Sequence, residues 1–154
     1  MENIEHCIAS MLEYQKMNNI KGYCIPNTQY LYNIATKYFP HNSVKAQAVL
    51  CFVYDDSNEL IKRIVHMVLT IDGILYDPSY ELYSLKNVSY FTNIEDLKQT
   101  INIETISKDT LDTFTRFQKY ATMINNEISL IKITTNYSDY YNKQSKYIAI
   151  ANNL

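Results

Sequence analysis

The stretch IVHMVLTIDGILYDP, residues 64–78, decides the fold. Ile64 to Ile71 is a strand-length run rich in β-branched residues. Asp72-Gly73 is a dipeptide favoured in two-residue hairpin turns, where the backbone must enter left-handed conformations. Ile74 to Asp77 then forms the returning strand, and Pro78 ends it because proline brings no N–H to a ladder. Such a turn pairs Ile71 with Ile74 and, continued, sets Asp77 opposite Val68. His66 lies two residues from Val68, so His66 and Asp77 share a face as diagonal neighbours. Diagonal positions are about 7–8 Å apart at the backbone, a gap that an imidazole and a carboxylate can close. A slip of one residue in the turn would send one partner to the opposite face.

Upstream, Val44, Ala46, Ala48, Leu50, Phe52 and Tyr54 alternate with period two, which predicts another strand. Asp55-Asp56-Ser57-Asn58 is the turn after it. If Tyr54 pairs with Glu59, Gln47 faces His66, and Cys51 falls four residues further on, about 13 Å away at strand rise. Before the sheet, residues 3–18 read as a helix with Ile4, Ile8, Met11, Leu12 and Tyr14 or Gln15 on neighbouring turns. Residues 18–23 form a turn. A second helix is predicted from about Pro26 to Tyr38, with Tyr30, Leu31, Ile34, Ala35 and Tyr38 as its apolar stripe and Pro40 as its stop. After the sheet, Thr92 to Glu95 has capping-box spacing for a short helix to about Ile101. A longer helix spans about Lys108 to Ser129, with Leu111, Phe114, Phe117 or Gln118, Ala121, Ile124 and Ile128 on one side. A last helix follows Ser138 and takes in Tyr141, Tyr147, Ile148 and Ala151. The class is α+β: N-terminal helices, a small antiparallel sheet of three or more strands, and C-terminal helices. Residues 1–154 read as one domain, with a core over about 18–82 and a helical part over about 92–152.

Composition narrows the chemistry. The 154 residues include only two glycines, Gly22 and Gly73. Phosphate loops and dinucleotide fingerprints need two or three within a few residues, so both are excluded. A net charge of −2 with only Arg63 and Arg116 as arginines predicts no nucleic-acid partner. No apolar run approaches the roughly 20 residues of a membrane span, and the N-terminus lacks the pattern of a signal peptide. Three cysteines, an odd number, argue against a disulfide framework and for a reduced, cytoplasmic setting. The excess of Asn, Ile, Tyr and Lys over Arg, Gly and Pro points to an AT-rich genome, viral, parasitic or endosymbiotic.

Cys24 stands at the opening of the second helix, where the helix dipole favours a thiolate. Backbone N–H groups of that first turn have no partner within the helix and can hold an oxyanion. Gly22 permits a sharp approach to the helix. With His66 on one strand and Asp77 ending the next, the three residues make a nucleophilic triad. Cys24 attacks an acyl carbon, His66 takes and returns the proton, and Asp77 holds the ring. Gln47, Tyr23, Tyr76 and Tyr80 are candidates for lining the cleft. Cys51 in mid-strand reads as a structural thiol, and Cys7 beside His6 as surface or core filling. No pair of Cys or His has the close spacing of known zinc sets, so neither a metal nor a cofactor is expected.

Gly22-Tyr23-Cys24 opening a helix, His66 on a strand, then Asp72-Gly73 and Tyr76-Asp77-Pro78-Ser79-Tyr80, resembles the core of the transglutaminase-like superfamily. That group belongs to the wider papain-like cysteine protease fold. The resemblance covers about residues 18–82 and implies Cys24, His66 and Asp77 as catalytic residues. Asn18 and Asn19, six and five residues before Cys24, lie near where papain-like enzymes often place a glutamine. The resemblance thereby implies them as candidates for a side-chain oxyanion donor, with turn formation as the alternative role. Two features depart from the family's habit. The interval from His66 to Asp77 is short, and Met67 stands where an aromatic residue is common. The implied reaction is acyl transfer on an amide: peptide or isopeptide hydrolysis, deamidation of glutamine, or transamidation, with a protein or peptide as substrate. Two rivals are a catalytically silent binding module on the same fold, for instance a viral protein engaging a host factor, and an arylamine-type acyltransferase. The sequence leaves the oligomeric state open.

Overall fold

A computed structural model describes residues 4–83, 85, 87–93, 106–126 and 136–142. Helix α1 (Ile4–Met17) turns Ile4, Met11 and Gln15 inward. It ends without glycine. Asn19 takes the left-handed conformation at φ 51°, and the Ile20 N–H reaches back to the Gln15 carbonyl at 3.0 Å, the wrap that closes many helix C-termini. Helix α2 (Cys24–Tyr38) starts two residues before the expected point. Pro26 nonetheless lies in the first turn, because the first α-helical bond runs from Asn27 N–H to the Tyr23 carbonyl at 2.9 Å.

Four antiparallel strands follow: β1 (Val44–Tyr54), β2 (Leu60–Ile71), β3 (Ile74–Tyr76) and β4 (Asn87–Phe91), in spatial order β3-β2-β1-β4. Between β3 and β4 lies one helical turn, α3 (Tyr80–Tyr83), and helix α4 (Lys108–Asn125) comes after the sheet. The hairpin register is as the Asp72-Gly73 turn requires: Ile71 pairs with Ile74, Thr70 with Leu75 and Leu69 with Tyr76. Asp72 and Gly73 both have positive φ, 51° and 83°. Gly73→Ala should therefore cost about 1 kcal/mol, although its Cβ would meet nothing within 4 Å. Thermal melts of the two proteins check this, and an unchanged midpoint would refute it.

The β1–β2 register differs from expectation. Tyr54 pairs with Leu60, not Glu59, and a bulge leaves exposed Ile61 as the extra residue before Val53 pairs with Lys62. The Asp55 carboxylate sets this loop by accepting from the N–H groups of Ser57 and Glu59. The consequence is that Val49, not Gln47, lies opposite His66, and Gln47 pairs with Val68.

Both faces of β1 are covered: Ala48 through Val53 are all buried. Ala48, Leu50 and Phe52 pack with Phe114 of α4, while Val49, Cys51 and Val53 pack with Val68 and Leu82. A sheet covered on both faces needs apolar residues on both. Helix α4 is held to the sheet by Asn125, whose side chain accepts from the Ala46 N–H and donates to the Ala46 carbonyl. Ser107 caps its start. It stops at Asn125, short of the expected Ser129, and Ile128 lies outside the described residues. Residues 137–142 are helical, and Tyr137 and Tyr140 bury their rings against Tyr14 and Tyr30. The expected short helix to Ile101 and the rest of the last helix, including Tyr147, Ile148 and Ala151, lie outside the described residues. The architecture is α+β. Among the described residues, no helix is long and apolar enough to cross a membrane.

Candidate active site

Strand β3 is only three residues long, so β2 loses its neighbour beyond Leu69. His66 sits at that open edge, where the start of α2 and the 77–81 segment converge. Helix α2 is fixed over β2 by Thr28, which donates to the Met67 carbonyl at 3.2 Å, one residue from His66. That anchor brings the N-terminal turn of α2, with Cys24, to the imidazole. The side chains of Cys24, His66 and Glu81 offer a sulfur, a ring nitrogen and a carboxylate oxygen within 4.8 Å of one another.

His66 Nε2 lies 3.0 Å from Asp77 Oδ1 and 3.1 Å from Oδ2. Those oxygens are already acceptors. Oδ1 takes the Ser79 N–H at 3.0 Å, and Oδ2 takes the Tyr90 hydroxyl at 2.9 Å. A carboxylate filled with donors in this way fixes the tautomer: Nε2 carries a proton, and Nδ1 is left to exchange one with the thiol. Asp77 is itself held by the turn, because Gln15 donates to the Pro78 carbonyl at 2.7 Å and accepts from the Tyr80 N–H at 2.9 Å. Asn27 links Gln15 to Ser79, and the Tyr137 hydroxyl bonds to Asn27. This buried network runs directly beneath the site.

His66 is 1% exposed. Burial pulls its pKa down, but hydrogen bonds and charge from Asp77 and Cys24 outweigh that and push it up to about 10. The imidazolium is therefore the favoured form at neutral pH. A group whose pKa is higher folded than unfolded contributes stability that is complete below its ordinary value near 6.5. That contribution is lost as pH rises towards 10. Urea unfolding between pH 7 and 9 should show stability falling with pH, by at most about 1.4 kcal/mol per unit for one proton. Asp77→Asn should flatten the slope, and a wild-type profile that rises across this window would contradict the assignment.

No protein family, curated protein or solved structure matches this chain.

Of the residues expected at the site, Cys24, His66 and Asp77 are brought together. Gln47 is not: it lies opposite Val68, and its side-chain amide donates to the Ala48 carbonyl. Cys51 is nearer than expected. It pairs with Ile64 and, being two residues from Val49, is a diagonal neighbour of His66 on the same face. Burial, with charge from Asp77 and Cys24, pushes its thiol well above the ordinary range, so it stays protonated and inert. Asn18 closes α1 by donating to the Tyr14 carbonyl. Asn19 has the left-handed turn role and also borders a cleft of about 250 Å³ that reaches Glu81 between Lys21, Lys62 and Tyr80. Tyr23 precedes α2, and its ring lies 5.1 Å from that of Tyr141, tilted by 58°. Tyr76 pairs with Leu69 and packs half-buried into the core.

Sequence reading missed two members. Tyr90 comes from β4, whose short run Val88 to Phe91 between Asn87 and Thr92 is a usable strand signal. Glu81 has no such mark. Its carboxylate accepts from the Gly22 N–H at 3.2 Å, so Gly22, with φ 74°, shapes the approach to Cys24 and also holds Glu81.

Proposed function

We propose that the protein is a cysteine-dependent acyl-transfer enzyme acting on amide bonds of proteins or peptides, built on a transglutaminase-like core. The observation that carries this reading is the His66–Asp77 contact at 3.0 Å beside a thiol at the start of a helix. The thiolate of Cys24 attacks the amide carbon, the new S–C bond pushes an electron pair onto oxygen, and the Cys24 and Ile25 N–H groups of the helix start receive that oxyanion. The C–N bond then breaks, and the amine leaves with the proton from His66. Water or a second amine, deprotonated by the now neutral His66, attacks the thioester and releases the thiolate. The cleft beside Glu81 is the approach for substrate. An intracellular setting fits a chain with three cysteines, an odd number.

Alkylation of the folded chain by iodoacetamide at neutral pH, followed by mass mapping, tests the reading. Cys24 should react at least about tenfold faster than Cys51, and His66→Ala should slow it. If Cys24 reacts no faster than Cys51, and no amide substrate turns over in a Cys24-dependent way, the enzymatic reading fails. The burial of Cys24, 6% exposed, favours a second reading, a silent binding module on the same scaffold. Inert Cys24 in a folded chain is the result that reading requires.

A further inference from the structure

We propose that Cys24, His66 and Glu81 form a zinc site whose occupation silences the thiol; that consequence rests on the acyl-transfer reading, whereas the site itself does not. Thiolate, imidazole and carboxylate are the donor types zinc selects, and three protein ligands with one open position make a familiar set. Tetrahedral bonds of about 2.0–2.3 Å place donors roughly 3.3–3.6 Å apart. The three donors here lie within 4.8 Å, so side-chain rotations that close the gaps by about an ångström complete the geometry.

The surroundings are also those of a metal site. A ligating histidine ordinarily gives its other ring N–H to a carboxylate, which fixes its orientation and raises its basicity. Asp77 does this for His66. The Gly22 N–H aims Glu81 in the same way. Zn²⁺ takes thiolate and neutral imidazole as ligands, so its binding displaces protons from the site to solvent. Glu81 has no part in the acyl-transfer chemistry, so it separates the two ideas.

The test is titration of the metal-free full-length chain with Zn²⁺ against a chromophoric chelator. One ion per chain should bind with Kd at or below about 1 μM, with release of protons. Glu81→Gln should weaken binding about tenfold or more, and Cys24→Ser further. With Co²⁺ in place of zinc, a thiolate charge-transfer band should appear and be lost in Cys24→Ser. Zinc should also stop Cys24 alkylation until chelator is added. Affinity unchanged in Glu81→Gln, or abolished by Cys7→Ser instead, overturns the site. If zinc binds as expected but metal-free Cys24 alkylates no faster than Cys51 and no amide substrate turns over in a Cys24-dependent way, the acyl-transfer reading fails and the metal site stands.

Discussion

Replacing Asp77 by Asn should lower kcat/KM for amide turnover by about 10²–10⁴ while the chain stays folded. The reason lies in how fully the carboxylate is used. Each oxygen is within 3.1 Å of His66 Nε2, and each has a second donor, the Ser79 N–H on Oδ1 and the Tyr90 hydroxyl on Oδ2. An amide NH₂ cannot accept either donor. Turned towards Ser79, it opposes a backbone N–H. Turned towards Tyr90, it makes that hydroxyl accept, but still sets a donor about as close to the Nε2 proton. The imidazole escapes by moving its proton to Nδ1, and Nδ1 can then no longer take the thiol proton. The negative charge that supports the imidazolium is lost as well.

Tyr90→Phe removes one hydrogen bond to the same carboxylate, worth about 1.5–3 kcal/mol, but leaves its charge in place, so its effect on rate should not exceed about a hundredfold. Release of amine or ammonia from glutamine-containing peptides provides the readout, with circular dichroism to confirm folding. A folded Asp77→Asn protein within threefold of wild type would remove Asp77 from the mechanism. The same variant losing binding of substrate but not turnover would make the residue a cleft wall.

What the sequence made legible follows from the range of the interactions involved. The hairpin is local: Asp72-Gly73 sets its own register, so the meeting of His66 and Asp77 could be read from fifteen consecutive residues. The β1–β2 connection carries no such constraint. Asp55 hydrogen-bonds within its own loop, Ile61 drops out of the pairing, and the register moves enough to swap Gln47 for Val49 opposite His66. The alternation of Ala46 to Tyr54 marks the strand but hides the equally apolar set Val49, Cys51 and Val53 that covers its other face. Glu81 and Tyr90 reach the site through tertiary folding of a one-turn helix and a five-residue edge strand. Neither element has a period long enough to announce itself, and a carboxylate fifteen positions beyond a histidine matches no ligand spacing.

The buried polar residue with most at stake is Gln15, which sequence periodicity offers only as an alternative to Tyr14 on the inner face of α1. Its amide donates to the Pro78 carbonyl at 2.7 Å, and its oxygen accepts from Tyr80 N–H at 2.9 Å and from Asn27 at 3.3 Å. Gln15→Leu keeps most of the volume and removes all three bonds. Asn27 retains Ser79 at 3.1 Å, but the Pro78 carbonyl and Tyr80 N–H lose this partner next to a buried core. Each such loss costs about 1–3 kcal/mol, so destabilisation of about 2–6 kcal/mol is expected. For a chain of this size, each kcal/mol moves the midpoint by roughly 2–4 °C, which predicts a fall of roughly 4–24 °C. Gln15→Glu separates packing from hydrogen bonding. It preserves the acceptor for Tyr80 but points an oxygen at the Pro78 carbonyl, and should also destabilise. Because residues 78 and 80 flank Ser79 and adjoin Asp77 and Glu81, the same variant should slow Cys24 alkylation at temperatures well below its own melting point. A Gln15→Leu protein that melts within 2 °C of wild type would mean that water replaces the glutamine, and that the turn holding Asp77 is rigid without it.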